Sequence, residues 1–79
     1  MIEITKYSKN EKMCKTCSIY VRPKNKNIIN NLTTIKRNIR LMGSDVYDVF
    51  LQLEKPFIGC IVFCMIDDND EIRNYLNNI

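Results

Sequence analysis

Between Pro56 and Asp67 the chain carries ten residues with almost no polar side chain, Phe57 to Ile66. A run this short cannot span a membrane as a helix, and an amphipathic element would break it with polar positions. It reads as a strand buried on both faces, inside a sheet rather than at its edge. The chain has 79 residues and is 46% hydrophobic, which suits one small globular domain and argues against disorder. A chain of this size buries only about 60% of its unfolded surface, so each buried side chain counts.

Other segments organise around that run. Ile2 and Ile4 alternate with Glu3 and Thr5, a strand pattern. Ser18 to Arg22 reads as a second strand or as the first turns of a helix stopped by Pro23. Ile28, Leu32, Ile35, Ile39 and Met42 recur at helical spacing, with Gly43 placed as a C-cap. The Thr and Asn residues among them leave open a short strand at Leu32 to Ile35. Ser44, Asp45 and Asp48 suit the start of a helix whose apolar face is Val46, Val49, Phe50 and Leu53. Asp67 to Asp70 reads as a turn and helix cap, and Glu71 to Asn78 as a terminal helix. The acidic cluster lacks the glycine and distal glutamate of a calcium loop. No internal repeat is legible.

The chemistry-bearing motif is Cys14-Lys15-Thr16-Cys17. Two thiols at this spacing exchange disulfides, bind metal or stay inert. Lys9, Lys12 and Lys15 surround Cys14 with only Glu11 opposing them, and positive neighbours favour a thiolate. A redox pair needs Cys14 exposed at a helix start, with Cys17 buried one turn on to resolve the mixed disulfide. A zinc site would need Cys60 and Cys64 as well. Four apart in a strand, those two sit about 13 Å from each other at ~3.3 Å per residue, too far for one ion without a bend. They read instead as small buried hydrophobes. The chain has no His, which excludes Cys–His nucleophile pairs and His-bearing zinc sites.

The net charge of +3 does not demand nucleic acid. There is no signal-peptide pattern and no run of eighteen apolar residues, so the expectation is a cytoplasmic protein without a membrane partner. Abundant Ile, Asn and Lys indicate an AT-rich genome, as in a low-GC bacterium, phage or virus.

Taken in order, several pieces resemble the thioredoxin-like superfamily, in particular small glutaredoxins of the phage type. Tyr7-Ser8-Lys9 at the end of a first strand is similar to the Tyr-Ser/Thr-Lys of glutaredoxins. Cys14 and Cys17 follow. Pro56, before the apolar strand, stands where the family has a cis-proline, and the segment from Ile66 to Leu76 resembles the family's closing turn, acidic cap and helix. The resemblance covers the first seventeen and the last twenty-four residues. It implies an α/β, thioredoxin-like single domain over residues 1–79, with a strand near Leu32 to Lys36. It also implies a thiol–disulfide oxidoreductase acting on a disulfide-bearing protein or glutathione-like thiol. No bound cofactor is implied; glutathione would be a co-substrate. Cys14 would attack, Cys17 resolve, Lys15 and Lys12 favour the anion, and Pro56 shape the substrate groove. Tyr7, Lys9 and Asp70, with Lys12 beside them, would contact the ligand.

Residue periodicity gives a different fold, α+β in the order strand–strand–helix–helix–strand–helix. With it goes a different function: a small non-enzymatic binding protein from a phage or virus, directed at a host protein. A four-cysteine zinc protein is the third reading.

Overall fold

The computed structural model of the chain describes residues 1–7 and 16–79. Strands β1 (Ile2–Tyr7) and β2 (Thr16–Val21) are followed by a 3-10 turn (Lys26–Asn31) and helix α1 (Leu32–Leu41). Strands β3 (Val46–Leu51) and β4 (Ile61–Asp67) and helix α2 (Asp70–Asn78) complete the order. The strands form one sheet in the order β1-β2-β4-β3, and every neighbouring pair is antiparallel. The architecture is α+β, which corrects the α/β expectation. The segment near Leu32 to Lys36, where the resemblance implied a strand, is the first half of α1.

The apolar run becomes a central strand because only there are both faces covered. Ile61, Val62 and Phe63 are all buried in succession. The strand itself starts only at Ile61; Phe57 to Cys60 belong to the preceding loop. On one face, Ile61, Phe63 and Ile66 join Cys17, Ile19 and Val21 of β2 and Val46 of β3. Ile35 and Ile39 of α1 and Ile72 and Leu76 of α2 cover them in the same cluster, so both helices lie on that face. The domain is accordingly thin, with extents of 35 × 30 × 18 Å.

Phe63 and Ile66 share a face although three positions apart, which a regular strand forbids. Between them Met65 adopts φ +51, a left-handed conformation that shifts the phase of the strand. The β2–β4 register slips beside it, between Cys17 and Ile19.

The helical periodicity of residues 28–42 is realised as the 3-10 turn running into α1. The Asn25 side chain caps the turn, accepting from Asn27 N at 3.0 Å. At the other end Gly43, at φ +84, lets its own N–H reach Arg40 O and the Ser44 N–H reach Ile39 O. This closes α1 with two of its orphan carbonyls satisfied.

The expected helix from Ser44 to Leu53 is instead β3. Over six residues, an apolar set at i, i+3 and i+4 does not separate the two periods, and Val46, Tyr47, Val49 and Phe50 are strand-favouring types. Ladder bonds to β4 decide it. Ser44 and Asp45 start no helix: Asp45 N donates to Asp67 Oδ2 at 2.9 Å, and Asp67 N donates to Asp45 O at 3.0 Å.

The fold is two hairpin–helix units, β1-β2-α1 and β3-β4-α2, joined through β2 and β4. Each helix packs on the other unit's edge strand, α1 on β3 and α2 on β1. Each also lends that edge a side chain. Lys36 Nζ donates to Tyr47 O at 3.3 Å, and Asn77 Oδ1 accepts from Ile2 N at 3.0 Å. Asp45 and Asp48 accept from the N–H groups of Val46 and Val49, each at 2.9 Å. Some of the backbone groups that could recruit another strand are thereby occupied.

Met65 gives a direct test of the phase shift. A left-handed residue costs about 1–2 kcal/mol unless it is glycine. Met65→Gly is therefore expected to stay within about 1 kcal/mol of the parent, because lost strain offsets added chain entropy. The β-branched Met65→Val should lose about 1–2 kcal/mol in urea unfolding. Equal stability of the two variants would contradict this account.

Candidate functional site

Of the residues singled out in the sequence, Lys9, Lys12, Cys14 and Lys15 lie outside the described residues. Tyr7, Cys17, Pro56 and Asp70 are described, and the structure brings Tyr7 and Cys17 together. Tyr7 is the last residue of β1 and pairs with Cys17 on β2. Pro56 follows a cis peptide bond in the loop joining β3 to β4. That loop meets β4 at Ile61, whereas Cys17 pairs with Ile66. From there the loop reaches back over the sheet, where the Phe57 ring beside Pro56 meets Tyr20 at 5.3 Å between centroids. Asp70 is the exposed first residue of α2.

Cys17 lies within a strand, not at a helix start. Its side chain is 3% exposed and forms part of the core. Beside it stands a polar cluster that the sequence reading did not find. Arg73 grips Asp68 with two bonds, Nε to Oδ1 at 2.6 Å and Nη2 to Oδ2 at 2.8 Å. The Tyr7 hydroxyl donates to Asp68 Oδ2 at 2.8 Å and accepts from Arg73 Nη2 at 3.1 Å. The Asp68 carboxylate also acts on the Cys17 thiol. Asp68 sits between the end of β4 and the start of α2, and Arg73 one turn into α2, so the helix start aims both at β1 and β2. The cap of α2 is a different residue, Asn69, whose Oδ1 accepts from Ile72 N at 2.9 Å.

The electrostatics follow from these contacts. Hydrogen bonding to Arg73 is the main reason the Asp68 carboxyl is held below the usual carboxylate range. Burial, with the Asp68 charge adding to it, pushes the Cys17 thiol up to about 11. The bond to Asp68 raises Tyr7. Arg73 lowers the thiol's pKa, but burial and Asp68 outweigh it. Cys17 is thus a neutral thiol at physiological pH, suited to waiting or packing and unsuited to leading a nucleophilic attack.

Cys17 and Tyr7 also line a depression of about 240 Å³ with Lys6, Thr16, Ser18, Tyr20 and Met65. The other described cysteines are not among its lining residues. Cys60 is fully buried, as expected of a small hydrophobe, and lies near Arg22. Cys64 is half-buried on β4. Among the described residues no group of three or more His, Cys, Asp or Glu side chains is placed to hold a metal ion. Nor does any described helix have the length and apolarity to cross a membrane.

Comparison of the chain with protein-family models, with curated proteins and with solved structures returned no match.

No sequence spacing signalled the Tyr7–Asp68–Arg73 cluster. Tyr7 and Asp68 are far apart in the chain, and the acidic run offered four carboxylates of similar appearance. The cluster predicts pH dependence with opposite signs at the two extremes. The depressed Asp68 contributes stability that is present above the ordinary carboxylate range and is lost as pH falls through its lowered folded value. Urea midpoints should therefore drop in acid, and by less in Asp68→Asn. The raised Cys17 contributes stability that is complete below the ordinary thiol value of 9.0 and is lost as pH rises toward about 11. Cys17→Ala should flatten that alkaline fall in the same assay, with Tyr7→Phe as the control for the neighbouring phenol.

Proposed function

We propose that this protein acts by binding a partner protein through the sheet face its helices leave open, without catalysing a reaction. The observation that carries this reading is the composition of that face. Tyr20 and Phe57 rings meet at 5.3 Å between centroids, tilted by 53°. The Lys6 ammonium stands 5.0 Å from the Tyr20 centroid and 5.9 Å from that of Phe57. Phe50, opposite the buried Val62 on β4, adds an apolar surface that is 39% exposed. Aromatic rings with an attached cation suit a protein segment that presents an aliphatic side chain beside a carboxylate. The capped edge strands favour contact by the face over strand addition. The Ile-, Asn- and Lys-rich composition fits a phage or viral protein with a host protein as its target.

A second reading keeps the thiol–disulfide oxidoreductase of glutaredoxin type, with Cys14 attacking and Cys17 resolving. What favours it is Cys17 itself, buried beside a depression and three positions after Cys14. Against it stand the strand position of Cys17 and its raised thiol pKa, since neither supplies the helix-start electrostatics such a pair uses.

One experiment separates the two. Partners are captured by cross-linking in expressing cells, identified by mass spectrometry, purified and titrated against variants. Lys6→Glu combined with Phe50→Asp should weaken binding at least about tenfold, while Cys14→Ser leaves it unchanged. Retained affinity in the face variant rejects the binding reading. Reduction of a disulfide substrate that depends on Cys14, through a reversible Cys14–Cys17 bond, establishes the oxidoreductase instead.

A further inference from the structure

At the other end of β2 from Cys17, a second depression of about 400 Å³ opens between Arg22, Pro23, Lys26, Ile29 and Gly59. Two features show that it is built rather than incidental. First, the Arg22 guanidinium is fixed: Nε donates to Glu3 Oε1 at 3.1 Å and Nη1 to Ile58 O at 3.1 Å. Second, the chain passes so close to this group that a Cβ on Gly59 would lie 3.3 Å from Arg22 Nη1. Gly59 also holds φ +88, the left-handed region that favours glycine.

The charges are unbalanced. Glu3 offsets Arg22 from the side. Lys26 adds a second positive charge, and none of the residues lining the depression is acidic. The rest of the lining, Pro23 and the half-buried Ile29, is apolar. A fixed guanidinium beside a lysine recognises a carboxylate, and the adjoining apolar wall recognises what carries it.

We propose that this depression binds a carboxylate on an apolar stem, with the anion between Arg22 and Lys26 and the stem on Pro23 and Ile29. Two sources share that chemistry, a free short-chain carboxylic acid and the C-terminal residue of a protein. None of its lining residues is among those named on the open sheet face, so it stands or falls separately from the partner-binding reading.

The test uses the whole chain, labelled with ¹⁵N and titrated with hexanoate, with hexanol, and with acetyl-Gly-Leu bearing a free or amidated C-terminus. Hexanoate should give saturable shifts at Arg22, Lys26, Ile29 and Gly59, weakened by added salt, and hexanol none that saturate there. Lys26→Glu, at an exposed position that leaves the core untouched, should weaken hexanoate about tenfold or more. Tighter binding of the free-acid peptide than of hexanoate, lost on amidation, assigns the site to protein C-termini; weaker binding assigns it to free acids. Absence of saturation by either acid, equal binding of hexanol, or an unaltered Lys26→Glu variant overturns the proposal.

Discussion

Burial of β4 on both faces is the constraint on which this structure depends. Ile61, Val62 and Phe63 leave solvent together, and that requires a hydrogen-bonded strand on each side and a covering layer. β2 and β3 supply the strands. One face is closed by α1 and α2, and part of the other by Tyr20, Phe50 and the Phe57 side chain. In so small a domain the same few side chains must do all of this, at about 1.5–3 kcal/mol for each large apolar group buried. The left-handed turn at Met65 follows from the same demand. It lets Ile66 return to the core after Phe63 and releases the chain toward Asp67 and Asp68.

That release makes the polar cluster. As β4 ends, Asp68 is carried beside Tyr7 and Cys17, and the first turn of α2 brings Arg73 onto it. The cluster ties both ends of the chain's described structure together through charge-assisted bonds, stronger than neutral ones. It also fixes the chemistry of Cys17. A thiol in the core, with the Asp68 carboxylate adding to the effect of burial, is kept protonated.

The two-unit arrangement explains how the sheet stays free of strand addition. Antiparallel hairpins leave two edges, and each is guarded by the helix of the opposite unit through Lys36 or Asn77. With the helices committed to one face and the edges capped, the open face and the Arg22–Lys26 depression are the surfaces left for recognition. Both combine a cation with apolar surface, the usual composition of a specific contact.

By itself the sequence determined the elements whose signal is local. The apolar run marks the interior strand that Ile61 to Ile66 form, Ile2 and Ile4 mark β1, and the Ile28–Met42 spacing with Gly43 marks a helix and its end. Tertiary structure decided the rest. Val46 to Leu51 satisfies both a helical and a strand period, and only the bonds offered by β4 made it a strand. Tyr7 and Cys17, ten positions apart, become neighbours only through the register of β1 on β2. Asp68 and Arg73 carry no motif, because a contact between a strand end and a helix turn from distant segments exists only once the sheet has formed. Periodicity and capping act over a few residues and are written into the chain; register, burial and charge pairing act across the fold and are not.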